Sequence, residues 1–165
     1  MDEKEILEIF YSTKGGLDEI NKAIEKKLQK DKTRKLSIFE KYFKTRVLSN
    51  PKVLKMSNFE IVPLEVIYMC AHPAISEVET LDLRKNMIGD LGLEAIAQVA
   101  QLKNLRKLDL RNNQITRIGL LALAKSKTLT QIEEIDLRVN KLGSRWEEKL
   151  RSIGDFPKLR VVKTF

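Results

Sequence analysis

A six-residue phrase written three times constrains this chain more than any other feature. Leu81-Asp82-Leu83-Arg84-Lys85-Asn86 recurs as Leu108-Asp109-Leu110-Arg111-Asn112-Asn113 and again as Ile135-Asp136-Leu137-Arg138-Val139-Asn140. Both offsets are 27 residues, and a fixed period of this length is the signature of stacked repeat architectures. The same step from other positions gives further apolar columns: Ile61, Ile88, Ile115 and Leu142; Met69, Ile96, Leu123 and Leu150; Val78, Leu105, Ile132 and Leu159. Cys70, Ala97 and Ala124 form a column of small residues. The phase reaches beyond the three clear copies, because Leu54 and Met56 fall under Leu81 and Leu83, and Val162 falls under Ile135. The array therefore reads as units 51–77, 78–104, 105–131 and 132–158, with a closing strand at 159–165.

Within each unit the apolar period changes. Leu-x-Leu puts two side chains on one face, as a strand requires. Leu93, Ile96, Ala97 and Ala100 then follow at helical spacing. One strand, turn and helix cannot bury its own apolar face, whereas stacked copies build a continuous core. The expected fold is an α/β right-handed solenoid, with parallel strands on the concave side and helices on the convex side.

Leu105-x-x-Leu108-x-Leu110-x-x-Asn113-x-Ile115, followed by Gly119, resembles the leucine-rich repeat. The Asn-x-Ile-x-x-x-Gly pattern of Asn86–Gly92 and Asn113–Gly119 is similar to the ribonuclease-inhibitor-like subclass. The resemblance implies a structural ladder of Asn86, Asn113 and Asn140, whose amides satisfy backbone groups at the turns. It also implies a binding scaffold rather than an enzyme, with partners on the concave face. Both ends depart from the pattern. Phe59 and Glu65 stand in the Asn and Gly columns of the first unit, and Trp146 replaces Gly in the fourth. Ser144-x-x-Glu147 reads as a capping box, Trp146 as a capping hydrophobe, and the fourth helix is expected to sit differently from the others.

Positions between the buried leucines face the concave surface in columns: Thr80, Lys107, Glu134; Asp82, Asp109, Asp136; Arg84, Arg111, Arg138; Lys85, Asn112, Val139. Lys55 and Lys163 take the Asp column at either end. Like charges in neighbouring strands, about 4.8 Å apart, repel one another, and an Arg column beside the Asp column offsets this. The array is either a self-neutralising ladder or a recognition surface. As a partner-binding surface it would use Asp82, Arg84, Lys85, Asp109, Arg111, Asn112, Asp136, Arg138, Val139, Lys163 and Phe165. The closing strand leaves a sheet edge that Arg160 and Lys163 guard or that a second copy pairs with.

Residues 1–50 have no place in the repeat. Helical spacing predicts three helices, the last over about 34–48 with Leu36, Phe39, Tyr42, Phe43 and Val47 on its apolar face. The expected role is an N-terminal cap over the solenoid's first unit, with the aromatic residues as core or as a partner-binding stripe. Net charge is +8, and residues 22–46 hold 10 basic and 3 acidic side chains. Lys26, Lys27, Lys30 and Lys35 therefore offer an alternative anion-binding surface for nucleic acid or anionic membrane.

The sequence carries no phosphate loop, nucleophile elbow or metal-ligand cluster. One cysteine, Cys70, and one histidine, His72, make neither a disulfide framework nor a His-based metal site. The start Met1-Asp2-Glu3 lacks a signal peptide's basic head and apolar middle, and the expected location is cytoplasmic. The leading expectation is a non-enzymatic adaptor for a protein partner, acting alone or as a subunit, with no cofactor, metal or small-molecule substrate.

Overall fold

In a computed structural model, which describes Glu19, residues 36–143 and residues 145–165, the chain divides into two compact units, Met1–Thr45 and Arg46–Phe165. Helix α1 runs Leu36–Ser49, close to the span expected of the third N-terminal helix. The Phe39 and Phe43 rings stack on it, 6.3 Å apart. The two earlier helices fall outside the described residues, Glu19 excepted, which is helical.

Arg46–Phe165 carries the repeat. Strands β1 (Val53–Lys55), β2 (Thr80–Asp82), β3 (Lys107–Asp109), β4 (Glu134–Asp136) and β5 (Val161–Lys163) form one five-stranded sheet in chain order. All neighbours are parallel, in a register that places Leu54, Leu81, Leu108, Ile135 and Val162 side by side. The strands are short because the chain turns away after each Leu-x-Leu. The second leucine still continues the ladder, its N–H donating to the Asp carbonyl of the next unit (Leu83 to Asp109, 2.9 Å; Leu110 to Asp136, 2.8 Å).

Helices α2 (Pro63–Ala71), α3 (Gly89–Gln98), α4 (Arg117–Ala124) and α5 (Trp146–Ile153) follow β1 to β4. Short 3-10 helices, Pro73–Glu77 and Ala100–Asn104, return the chain from α2 and α3 to the sheet. Pro63 suits the first turn of α2, where its missing N–H has no partner to lose. Thr116 caps α4, its hydroxyl accepting from Ile118 N at 3.2 Å. The core lies between strands and helices, where Ile61, Ile88, Ile115, Met69, Ile96, Leu123 and Leu150 are all fully buried. The repeat is thus an α/β solenoid with the layers the apolar columns require.

Units two and three are tied by one carboxylate. Asp90 on α3 accepts from Thr116 N at 2.7 Å and from Thr116 Oγ1 at 2.6 Å. This approach needs Gly119, since a Cβ there would lie 2.5 Å from Asp90 Oδ1. Units three and four lack this tie: Arg117 of the third unit and Gly143 and Trp146 of the fourth replace Asp90, Thr116 and Gly119. Helix α5 accordingly starts at Trp146, two residues later than the repeat would place it. The far flank of α4 is uncovered, with Ile118 72% exposed where Leu64 and Leu91 are buried.

Glu147, one half of the expected capping box, reaches the edge strand. Its Oε1 accepts from Thr164 N at 2.8 Å, just beyond β5, and Arg145 flanks the helix without a side-chain cap. Ser144 lies outside the described residues.

Candidate functional site

The exposed face of the sheet carries the charged columns. A depression of about 250 Å³ crosses all five strands, with Lys55 at one end and Lys163 at the other. Along it each arginine turns back onto the aspartate two residues earlier in its own strand. Arg111 Nε and Nη2 clasp Asp109 at 3.0 and 2.6 Å, and Arg138 clasps Asp136 at 3.0 and 2.7 Å. In each pair the Asp Oδ1 also accepts the arginine's own backbone N–H, at 3.2 Å. Arg84 is looser: its side chain touches Asp82 through Nη2 alone, at 3.1 Å, and its backbone N–H donates to Asp82 Oδ1 at 3.3 Å. The one contact between strands in this set is Arg111 Nε to Asp136, at 3.5 Å.

The carboxylates are not open to water: Asp82 is buried, at 8% exposure, and the side chains of Asp109 and Asp136 are only 24% and 20% exposed. Burial alone would raise the Asp136 carboxyl. Hydrogen bonds from the Arg138 side chain and backbone, with the charges of Arg138 and Arg111, outweigh burial and hold it below the ordinary carboxylate range. Two of the three guanidinium forks are already filled by carboxylates of this chain, leaving Arg84 the most open. Among the described residues Lys55 and Lys163 have no ion-pair partner.

The varied column has a backbone peculiarity that its residue types conceal. Lys85, Asn112 and Val139 all take left-handed backbone, at φ of 56, 54 and 59°, as does Asn58 in the first unit at 60°. These residues stand where the chain leaves the sheet, one position past the arginines.

The asparagines lie beneath this face and staple the turns together. Asn86 Oδ1 accepts from Phe59 N and Ile61 N of the previous unit, at 2.9 and 3.1 Å, while its Nδ2 donates to the Met56 and Leu83 carbonyls. Asn140 does the same for Asn113 N and Ile115 N. Asn113 departs from this pattern: its Nδ2 donates to Leu83 O at 2.9 Å, but its buried Oδ1 has no partner. The unit-two turn explains the difference, because Gly89 has φ +62° where Val62 and Thr116 have −97 and −114°. Gly89 N donates instead to the Asn113 carbonyl, at 3.0 Å.

A second set of charges escaped the sequence reading. Lys52, Glu79, Arg106, Glu133 and Arg160 lie 27 residues apart and alternate in sign. Lys52 Nζ meets Glu79 at 2.8 Å and Arg106 Nη2 meets Glu133 at 2.5 Å. Stepping by 27 from Lys52 would have found it. Beside it a polar depression of about 530 Å³ is lined by Glu77, Asn104, Gln131 and Lys158.

The remaining candidates have structural surroundings. Cys70 is buried, which pushes its thiol up to about 12 and leaves almost no thiolate near neutral pH. His72 Nδ1 accepts from Ala74 N at 3.1 Å, capping the first 3-10 helix. Lys26, Lys27, Lys30 and Lys35 lie outside the described residues. Among the described residues no helix is long and apolar enough to cross a membrane.

The family model for Leucine Rich repeats (2 copies) matches residues 76–122 and 103–144. No curated protein matches the chain. Leucine-rich repeat domains generally mediate protein–protein interaction and are typically non-enzymatic. Parallel register, stacked leucine columns and the family match agree that residues 76–144 are an array of leucine-rich repeats.

Proposed function

We propose that this chain is a protein-binding scaffold whose partner lies along the exposed face of the β1–β5 sheet. The observation that carries the reading is the depression across the sheet, lined by Arg84 and by Lys55 and Lys163, which have no ion-pair partner among the described residues, with Arg111 and Arg138 clasped to the Asp109 and Asp136 that also line it. Each clasped arginine has little rotamer freedom left to lose, so meeting a partner costs it less ordering than a free surface arginine.

Helices of 9, 10 and 8 residues in the first three units support the ribonuclease-inhibitor-like subclass. A single buried free thiol suits a reducing, cytoplasmic setting.

Affinity capture with mass spectrometry tests the reading, using the full chain against the Arg84→Ala/Arg111→Ala/Arg138→Ala variant, with circular dichroism as the folding control. The expected result is a protein retained by the parent and lost by the folded variant. An unchanged capture profile would remove the sheet face from consideration.

A further inference from the structure

Helix α4 is buried on one side and bare on the other. At about 100° per residue, Gly119, Leu120, Leu123 and Ala124 share one arc, and all four are buried. Arg117, Ile118, Leu121 and Lys125 share the opposite arc, and all four are exposed. The neighbours fix where that arc points. Gly119 meets Asp90 of α3, so Arg117 and Leu121 look the other way, toward the fourth unit. On that side Lys141 N reaches the Ile115 carbonyl at 3.0 Å. The same flank of α3 is covered by unit three, with Asp90 bonded to Thr116 and Leu91 buried. On α4 it carries two exposed aliphatic side chains, Ile118 and Leu121.

The charge around this flank is one-sided. Helix α4 has no carboxylate, and Arg117, Lys125, Lys141 and Arg145 have no ion-pair partner among the described residues. Most nearby carboxylates are already engaged. Asp90 holds Thr116, Glu147 holds Thr164 N, and Asp155 meets Lys127. Counting Glu148 and the carboxylate of Phe165 as free still leaves two negative groups against these four cations.

The sign and the spacing select the occupant. A second copy is disfavoured, because pairing α4 with itself about a two-fold axis near Leu121 sets Arg117 of one chain beside Lys125 of the other. Two aliphatic side chains are too small an apolar face for a bilayer, which amphipathic helices hold along a whole face. Arg117, Leu121 and Lys125 instead form one ridge at four-residue spacing, the kind of row that packs into the groove of another helix. Its two cations lie two turns apart, about 12 Å along the axis.

We infer that this flank of α4 seats an acidic amphipathic helix of a protein partner, which lays aliphatic side chains on Ile118 and Leu121 and sets carboxylates, seven or eight residues apart, on Arg117 and Lys125. The seat lies on the helical side of the solenoid and does not rest on the sheet face being a binding surface.

The test uses fluorescence anisotropy with labelled Ala-based peptides of about 20 residues, long enough to be helical alone, added to the full chain. One probe has Glu two turns apart with Leu between them. Its companions replace Leu by Gln, replace Glu by Lys, or scramble the order so that the helical stripe is lost. The Glu–Leu helix should bind, and each companion more weakly by about fivefold or more. Ile118→Gln and Leu121→Gln should each weaken the Glu–Leu helix to a similar extent. Arg117→Glu combined with Lys125→Glu should reject the Glu–Leu helix and take up the Lys–Leu one, a gain that a damaged fold would not produce. The Arg84→Ala/Arg111→Ala/Arg138→Ala variant should bind like the parent.

Equal binding of the scrambled probe would overturn the inference, as would failure of every probe to bind or of the charge exchange to switch preference. Binding lost in the sheet-face variant but kept in all the α4 variants would return the peptide to the sheet and leave only that reading standing. Retention on phosphatidylserine vesicles without peptide binding would assign the flank to a lipid surface, and a dimer abolished by Leu121→Gln would assign it to a second copy. Either result also overturns it.

Discussion

Asp136 shows how a half-covered carboxylate becomes a pH-dependent part of the fold. It accepts two side-chain bonds and one backbone bond from Arg138 and meets Arg111 from the neighbouring strand. Its pKa is lowered because these interactions outweigh the burial that would raise it. Such a group contributes stability that is complete above the unfolded value of about 4 and disappears as pH falls through the lower folded value. Asp136→Asn should therefore be less stable than the parent near neutrality, by about 1 kcal/mol after allowing for solvent screening. The two stability curves should converge once pH has fallen below the ordinary carboxylate range and through the lowered folded value. Urea midpoints across pH 2–7 would check this (about five points suffice to define the limb), and parallel curves would refute it. The clasp was only partly legible beforehand. Asp and Arg two residues apart on one face were plain in the repeat, but like columns gave no means of choosing between partners in the same strand and in the next. The left-handed backbone at Lys85, Asn112 and Val139 was less legible still, because none of those positions carries the glycine that would have marked it.

At the scale of elements, α5 explains why the last unit breaks the pattern. A sixth strand would have accepted the N–H at Thr164 and supplied a donor for the Arg160 carbonyl. Two side chains one turn apart on α5 do so instead: Glu147 accepts from Thr164 N, and Arg151 Nη2 donates to Arg160 O at 2.8 Å. Among the described residues these two side chains occupy backbone groups through which a further strand would pair with β5. Glu147→Ala combined with Arg151→Ala should leave the sheet folded but raise amide exchange at Thr164 selectively. It should also promote concentration-dependent self-association in sedimentation. Unchanged exchange at Thr164 would show that the edge is protected by other means. Strand register was readable because Leu-x-Leu repeats without insertion from unit to unit. The displacement of α5 was not, since it depends on three parts being absent together: the carboxylate at 117, the hydroxyl at 143 and the glycine at 146. The sequence showed the last of these, and the capping box it offered involves Ser144, which lies outside the described residues.

Across the whole array the two kinds of charge column do different work. Same-sign columns such as Asp82, Asp109 and Asp136 cannot attract across strands and are neutralised within each strand. The column Lys52, Glu79, Arg106, Glu133 and Arg160 alternates, so every neighbour is an opposite charge in register, directly opposite on parallel strands. The hydrogen bond to Lys52 lowers Glu79, and that to Arg106 lowers Glu133, which Arg160 favours further through its charge. If the column acts as isolated pairs, exchanging the partners of one pair costs nothing. If it acts as a column, the exchange moves the fault outward. Arg106→Glu combined with Glu133→Arg keeps an opposite pair at the centre but sets two carboxylates side by side at 79 and 106 and two cations at 133 and 160. The double exchange should then unfold at lower urea than the parent in dilute buffer, and the deficit should shrink in about 1 M salt, where the screening length falls to about 3 Å. Parental stability at low salt would show that the charges act two at a time. A deficit that shrinks with salt would show that the five charges act together as one column across the sheet.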